Sequence, residues 1–122
     1  MAMHTLLVAD DDPIMLKLYE LNLSRAGYRI LSCKNGEEAF KYLETEKPVA
    51  MILDYLLPDV TGLELTQKFR QNPHFEKTPL IVVTAQGKES IRQDLMNAGA
   101  SMVFTKPFSP SILLKSLSGF LN

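Results

Sequence analysis

The chain reads as an α/β domain built on a doubly wound, five-stranded parallel sheet, and three observations carry that reading. Three short runs, Leu6–Ala9, Val49–Leu53 and Leu80–Val83, are apolar at every position, as strands are when helices cover both faces of a parallel sheet. The segments between strands carry apolar residues at helical spacing. The two kinds of segment alternate strictly along the chain, which implies right-handed crossovers and helices on both sides of the sheet.

The elements follow in order. The first strand, Leu6–Ala9, runs into Asp10, Asp11, Asp12 and Pro13; an acid followed by Pro suits the start of a helix. Ile14, Leu18, Leu21 and Ala26 mark the expected buried face of that helix. A weaker strand, Arg29–Cys33, follows Gly27, and another, Met102–Thr105, follows Gly99; each glycine stands where a helix end needs the left-handed conformation. Ala39, Tyr42 and Leu43 mark the second helix, and Leu63, Leu65, Thr66 and Phe69 the third, opened by Thr61 and Glu64 as a capping box. The polar stretch from residue 70 to residue 79 reads as a loop. Ile91, Leu95 and Ala98 mark the fourth helix, and the fifth runs from about Pro110 to Phe120 with Ser109 as its N-cap.

Composition narrows the function. A chain of 122 residues fits one domain, 1–122, and 46% apolar with 22% charged residues is ordinary globular usage. Net charge is −1 and the 13 basic residues are scattered, so the chain has no electrostatic footprint for nucleic acid. Cys33 is the single cysteine, which excludes an internal disulfide. No leader-like segment is visible and no apolar run approaches the roughly 20 residues of a membrane span, so a cytoplasmic setting is expected.

In open parallel sheets ligands bind beyond the carboxyl ends of the strands, where strand order reverses. Asp10, Asp11 and Asp12 end the first strand, Asp54 the third, Thr84 and Ala85 the fourth, and Lys106 and Pro107 the fifth. That set suits phosphoryl transfer to a carboxylate. A hard divalent cation such as Mg2+ takes one or two carboxylates together with phosphate oxygens and water, which Asp10, Asp11 and Asp54 can supply. The transfer itself needs positioning and neutralisation of charge on the equatorial oxygens, for which Lys106 and the Thr84 hydroxyl are suited. Asp54, alone on a central strand, is the candidate nucleophile, and the small Ala85 leaves room for a phosphodonor.

Each residue also has a plainer reading. An acid run after a strand is commonly a helix cap, a Thr at a strand end a turn residue, and a lone Lys before Pro a solvated charge. Four separate strands placing compatible groups on one rim argue for the chemical reading. Other signals are weak: His4 and His74 have no partners at metal spacing, no glycine-rich phosphate cradle occurs, and Cys33 reads as a small buried hydrophobe. Met96, Met102, Phe104 and Phe108 read as packing residues.

The motifs "LLVADDDP", "MILDYLLPDVTGLEL", "PLIVVTA" and "GASMVFTKPF" resemble those of receiver domains of two-component response regulators, over essentially the whole chain. The resemblance implies a flavodoxin-like fold with strand order 2-1-3-4-5. It also implies that Asp54 accepts a phosphoryl group from a histidine kinase or histidine phosphotransfer protein. Mg2+ would be bound directly by Asp11, Asp54 and the backbone carbonyl of Leu56, with Asp10 acting through water. Thr84 would match the hydroxyl that moves toward the phosphoryl group, and Lys106, before a cis Pro107, the phosphate-binding lysine. Pro58 and Gly62 fit the loop after the phosphorylated residue. Output through a face of helix four, strand five and helix five follows by the same resemblance, to an effector domain or protein, and a phosphorylation-dependent dimer is left open.

One position departs from the pattern. Where family members carry Tyr or Phe three residues before the lysine, this chain has Val103, and Phe104 should point to the opposite face. The expectation is that phosphorylation acts through the loop after strand four and the fourth helix, without an aromatic rotamer change. Two other functions fit parts of the pattern: a haloacid-dehalogenase-like phosphatase with Asp10 as nucleophile, and a receiver-like module that binds partners without phosphorylation. The first lacks a second acidic pair and chain for a substrate cap; the second leaves the acids, Thr84 and Lys106 without a purpose. The expected protein is therefore a signalling switch and not an enzyme acting on other substrates.

Overall fold

The structure, a computed structural model, describes residues 4–121, so Met1, Ala2, Met3 and Asn122 lie outside it. Five strands, β1 (Thr5–Ala9), β2 (Arg29–Cys33), β3 (Ala50–Asp54), β4 (Leu80–Thr84) and β5 (Met102–Thr105), alternate with five helices. These are α1 (Pro13–Arg25), α2 (Gly36–Thr45), α3 (Gly62–Gln71), α4 (Glu89–Ala98) and α5 (Pro110–Leu121). All strand pairs are parallel, in the order β2-β1-β3-β4-β5. The fold class expected from the sequence is the one observed.

The pleat sorts the core into two layers. Leu7, Met51, Leu53, Leu80 and Val82 face one side and pack with Ala39 of α2, Leu65 and Phe69 of α3, and Leu95 of α4. Leu6, Val8, Ile52, Ile81 and Val83 face the other and pack with Leu16, Tyr19 and Leu23 of α1 and Leu113 and Leu117 of α5. Every position of Leu6–Ala9, Ala50–Leu53 and Leu80–Val83 is buried because both faces of the sheet are covered, which is why these strands show no polar alternation.

Local signals place most helix ends. Asp12 accepts a hydrogen bond from the Ile14 amide at 2.9 Å, with Pro13 in the first helical position. Thr61 Oγ1 accepts from the Glu64 amide at 3.2 Å, but the Glu64 carboxylate accepts from the Thr61 hydroxyl and not from its amide, so the expected capping box is half formed. Ser109 Oγ accepts from the Ile112 amide at 3.3 Å. Gly27 and Gly99 have φ of 97° and 115°, the left-handed region that favours glycine.

Two expectations are corrected. The buried face of α1 is Leu16, Tyr19 and Leu23, whereas Ile14, Leu18 and Leu21 are 70%, 47% and 51% exposed. The helix is apolar on opposite sides, so its period offers two stripes of equal spacing; the short, capped connection from β1 sets the rotation that buries one. The stretch 70–79 is also more ordered than a loop. It holds the last two residues of α3, Arg70 and Gln71, and a 3-10 turn, Pro73–Phe75, whose Phe75 is buried.

Candidate functional site

Register brings the polar rim together. Ala9 pairs with Leu53, so Asp10 emerges beside Asp54, and Thr84 pairs with Thr105, so Lys106 emerges one residue further on. Continued through the pleat, Asp10, Asp54 and Lys106 follow Val8, Ile52 and Phe104 on the α1/α5 side of the sheet, whereas Thr84 follows Val82 toward α4. The β1–α1 and β3–α3 connections leave toward opposite faces, which opens a crevice between them.

In that crevice one carboxylate oxygen from each of Asp10, Asp11 and Asp54 lies within 4.8 Å of the others. Lys106 Nζ is 3.2 Å from Asp54 Oδ1 and 3.4 Å from Asp10 Oδ2. Asp10 is buried, with its other oxygen accepting from the Asp12 amide at 2.9 Å, while Asp11 is exposed. Burial pushes the Asp54 carboxyl above its usual range and the Asp10 carboxylate pushes it further, with Lys106 offsetting part of the rise. Burial alone lowers the Lys106 ammonium, but attraction and hydrogen bonding to Asp54 and Asp10 outweigh it and leave the group raised. Tyr19, packed below the rim, is raised by burial and by the same two carboxylates.

Thr84 lies on the rim but its hydroxyl accepts from the Gln86 amide at 3.0 Å, within its own loop. The Lys106–Pro107 peptide is cis. Val103 packs with the α4 layer and Phe104 with the α1/α5 layer, where its ring stacks on Phe108 at 5.7 Å and Phe108 stacks on Tyr19 at 6.3 Å. Cys33 is buried and its thiol is pushed up to about 12, mainly by burial.

Leu56 sits in a narrow loop between β3 and α3. Leu56 bridges Thr61, the Leu57 amide donates to Val60 O at 3.1 Å, and the Gly62 amide donates to Tyr55 O at 2.6 Å. A Cβ on Gly62 would stand 3.0 Å from Tyr55 Cα, so glycine permits the close crossing. Sequence reasoning passed over Asp59 at the tip of this loop. Its two oxygens accept from the Gly36 and Glu37 amides at 2.8 and 3.0 Å, which holds its carboxyl below the usual range. The "PD" pair at residues 58 and 59 reads only as a turn, because the helix it caps is more than 20 residues upstream.

The parallel order 2-1-3-4-5 and an acid-and-lysine rim at its carboxyl edge define a class of α/β signalling domain. The chain belongs to the response regulator receiver domain family, whose model matches residues 6–118. It is 38% identical over 105 residues to the alkaline phosphatase synthesis transcriptional regulatory protein PhoP of Bacillus subtilis, covering 86% of this chain and 43% of that protein. The chain thus spans less than half the length of that relative. A putative response regulator from Chloroflexus aurantiacus superposes with a TM-score of 0.92 at 37% identity, covering 98% of both chains. The receiver domain of a sensor histidine kinase from Pseudomonas aeruginosa, solved with a magnesium ion in its active site cleft, matches with a TM-score of 0.88 at 26% identity, covering 98% of each. Two-component signalling is therefore the context of this domain. Among the described residues no helix is long and apolar enough to cross a membrane.

Proposed function

We propose that Asp54 is the phosphoryl acceptor of this receiver domain, and that Asp11, Asp54 and the Leu56 carbonyl would hold a Mg2+ ion directly, with Asp10 acting through water. The observation that carries the reading is the clustering of three carboxylates within 4.8 Å of one another, with the Lys106 ammonium 3.2 Å from Asp54 and 3.4 Å from Asp10. A cluster of hard oxygen donors fits Mg2+, which when bound draws charge from the phosphoryl oxygens. Lys106 holds one Asp54 oxygen, which favours the ionised carboxylate against the rise from burial and Asp10 and orients it for attack on phosphorus. The phosphodonor is a phosphohistidine of a kinase or phosphotransfer protein, and its imidazole leaves as the acyl phosphate forms. Lys106 then exchanges its contact with Asp54 for the new phosphoryl oxygens.

Thr84 follows from the α4 side: its hydroxyl must leave the Gln86 amide to reach the phosphoryl group, which remodels the loop entering α4. That loop, with α4, β5 and α5, is the face through which partner affinity changes. Val103 lets this happen without an aromatic ring turning over. On this reading residues 1–122 act as one domain in the cytoplasm, upstream of an effector domain or protein.

The test is incubation with acetyl phosphate and Mg2+, read by intact mass. The wild-type chain gains one labile phosphoryl group, and Asp54→Asn gains none. An unmodified wild-type chain, or an adduct that survives Asp54→Asn, refutes the assignment; retained hydrolysis of small phosphate esters by Asp54→Asn would instead favour a phosphatase acting through Asp10.

A further inference from the structure

We infer that Asp59 is a positioning residue for the metal site, acting as a strap that fixes the Leu56 carbonyl from the N-terminus of α2. The inference rests on the metal reading proposed above and extends it to a residue that touches neither metal nor phosphoryl group.

The α2 terminus has its own local caps. Asn35 Oδ1 accepts from the Glu38 amide at 2.8 Å, and Glu38 Oε1 accepts from the Lys34 amide at 2.7 Å. The amides of Gly36 and Glu37 remain, and Asp59 takes both with separate oxygens. Their partner is thus the tip of the β3–α3 loop rather than a neighbour in sequence. The two segments are also in close steric contact: a Cβ on Gly36 would stand 2.5 Å from Val60 Cγ1.

From this anchor the geometry passes inward through covalent constraint. Val60 follows Asp59, and Val60 O accepts from the Leu57 amide. The Leu57 N–H and the Leu56 C=O belong to one planar trans peptide, so fixing the direction of the first fixes the second in the opposite sense. Asp59 holds Val60, Val60 holds the Leu57 amide, and the Leu56 carbonyl has no independent freedom. The other strand of the loop is pinned by Gly62 to Tyr55 O. Without the strap the tip is free to rock about that pin, and the carbonyl is presented in a spread of directions.

The test compares Mg2+ affinity, by isothermal titration calorimetry on the full chain, for wild type, Asp59→Ala, Asp59→Asn and Asn35→Ala. Asp59→Ala weakens Mg2+ binding about 10-fold, the scale of lost outer support at metal sites. Asp59→Asn, which keeps one acceptor oxygen, falls between it and wild type. Asn35→Ala removes a cap of the same helix but leaves the loop strapped, so it lowers the melting temperature and leaves Mg2+ affinity unchanged. Equal affinity for Asp59→Ala and wild type, or equal losses for Asp59→Ala and Asn35→Ala, overturns the inference and reduces Asp59 to a helix cap. A wild-type chain without saturable Mg2+ binding overturns instead the metal reading on which it rests.

Discussion

Arg70 is the sharpest test of how the end of the domain remote from the rim is held. Its guanidinium donates to Gly99 O at 2.9 Å, Phe75 O at 2.7 Å and Thr78 O at 2.7 Å, joining the end of α3 to the 3-10 turn, the start of β4 and the end of α4. Longer contacts at 3.5 Å to Glu76 O and Ser101 Oγ add little. Three hydrogen bonds from a charged donor are worth about 5–9 kcal/mol gross, at about 1.5–3 each. The site is half-buried, so water replaces part of this when the side chain is removed; Arg70→Ala should cost about 2–4 kcal/mol. With a urea dependence of about 2 kcal/mol per M, the unfolding midpoint falls by about 1–2 M, read by circular dichroism at 222 nm. Arg70→Lys recovers less than half of the loss, because one ammonium cannot span three carbonyls that a planar fork reaches together. A fall smaller than about 0.3 M for Arg70→Ala, or full recovery by Arg70→Lys, would refute the reasoning.

Two further outcomes test the packing. Leu16→Ala, on the buried side of α1, should cost about 2–4 kcal/mol in urea unfolding, whereas Leu21→Gln, on the exposed side, should stay within about 0.5 kcal/mol; the reverse order would restore the face that periodicity alone suggested. Cys33, 1% exposed and with its thiol raised to about 12, should resist iodoacetamide at pH 8 in the folded protein and take one adduct in denaturant, by intact mass.

Strands and helix caps were legible because their causes are local. A run apolar at every position has few explanations besides burial on both faces, and Asp12, Thr61 and Ser109 cap residues two or three positions away. The rim was legible for a different reason: strand ends in a parallel sheet share one edge, so a residue's place after a strand is already a spatial coordinate. What stayed hidden depended on rotation or on distant partners. The face of α1 is set by how the chain leaves β1, and the direction of Thr84 by the pleat of β4. The role of Asp59 comes from backbone amides more than 20 positions upstream, and that of Arg70 from joining the nearby Phe75 and Thr78 carbonyls to the distant Gly99 carbonyl. No periodicity or spacing within the chain encodes which amide or carbonyl will be waiting there.

The same geometry explains three aspartates at the end of a buried strand. Asp12 belongs to α1, which it caps, and its charge is answered by the helix N-terminus. Asp10 and Asp11 then join Asp54 in a crevice where one ammonium, Lys106, contacts two of the three carboxylates. Those three carboxylates meet one ammonium, and the Asp54 carboxyl is raised by burial first and by the Asp10 carboxylate second. A monovalent cation would leave the set negative, whereas a divalent cation brings it to neutrality before a phosphoryl group arrives. An incoming phosphoryl group would add negative charge at the point where Lys106 already serves Asp54, so its oxygens need either that ammonium or the metal. On the reading proposed above, phosphoryl transfer to Asp54 is expected to require a divalent ion, because the three carboxylates with Lys106 alone would disfavour it.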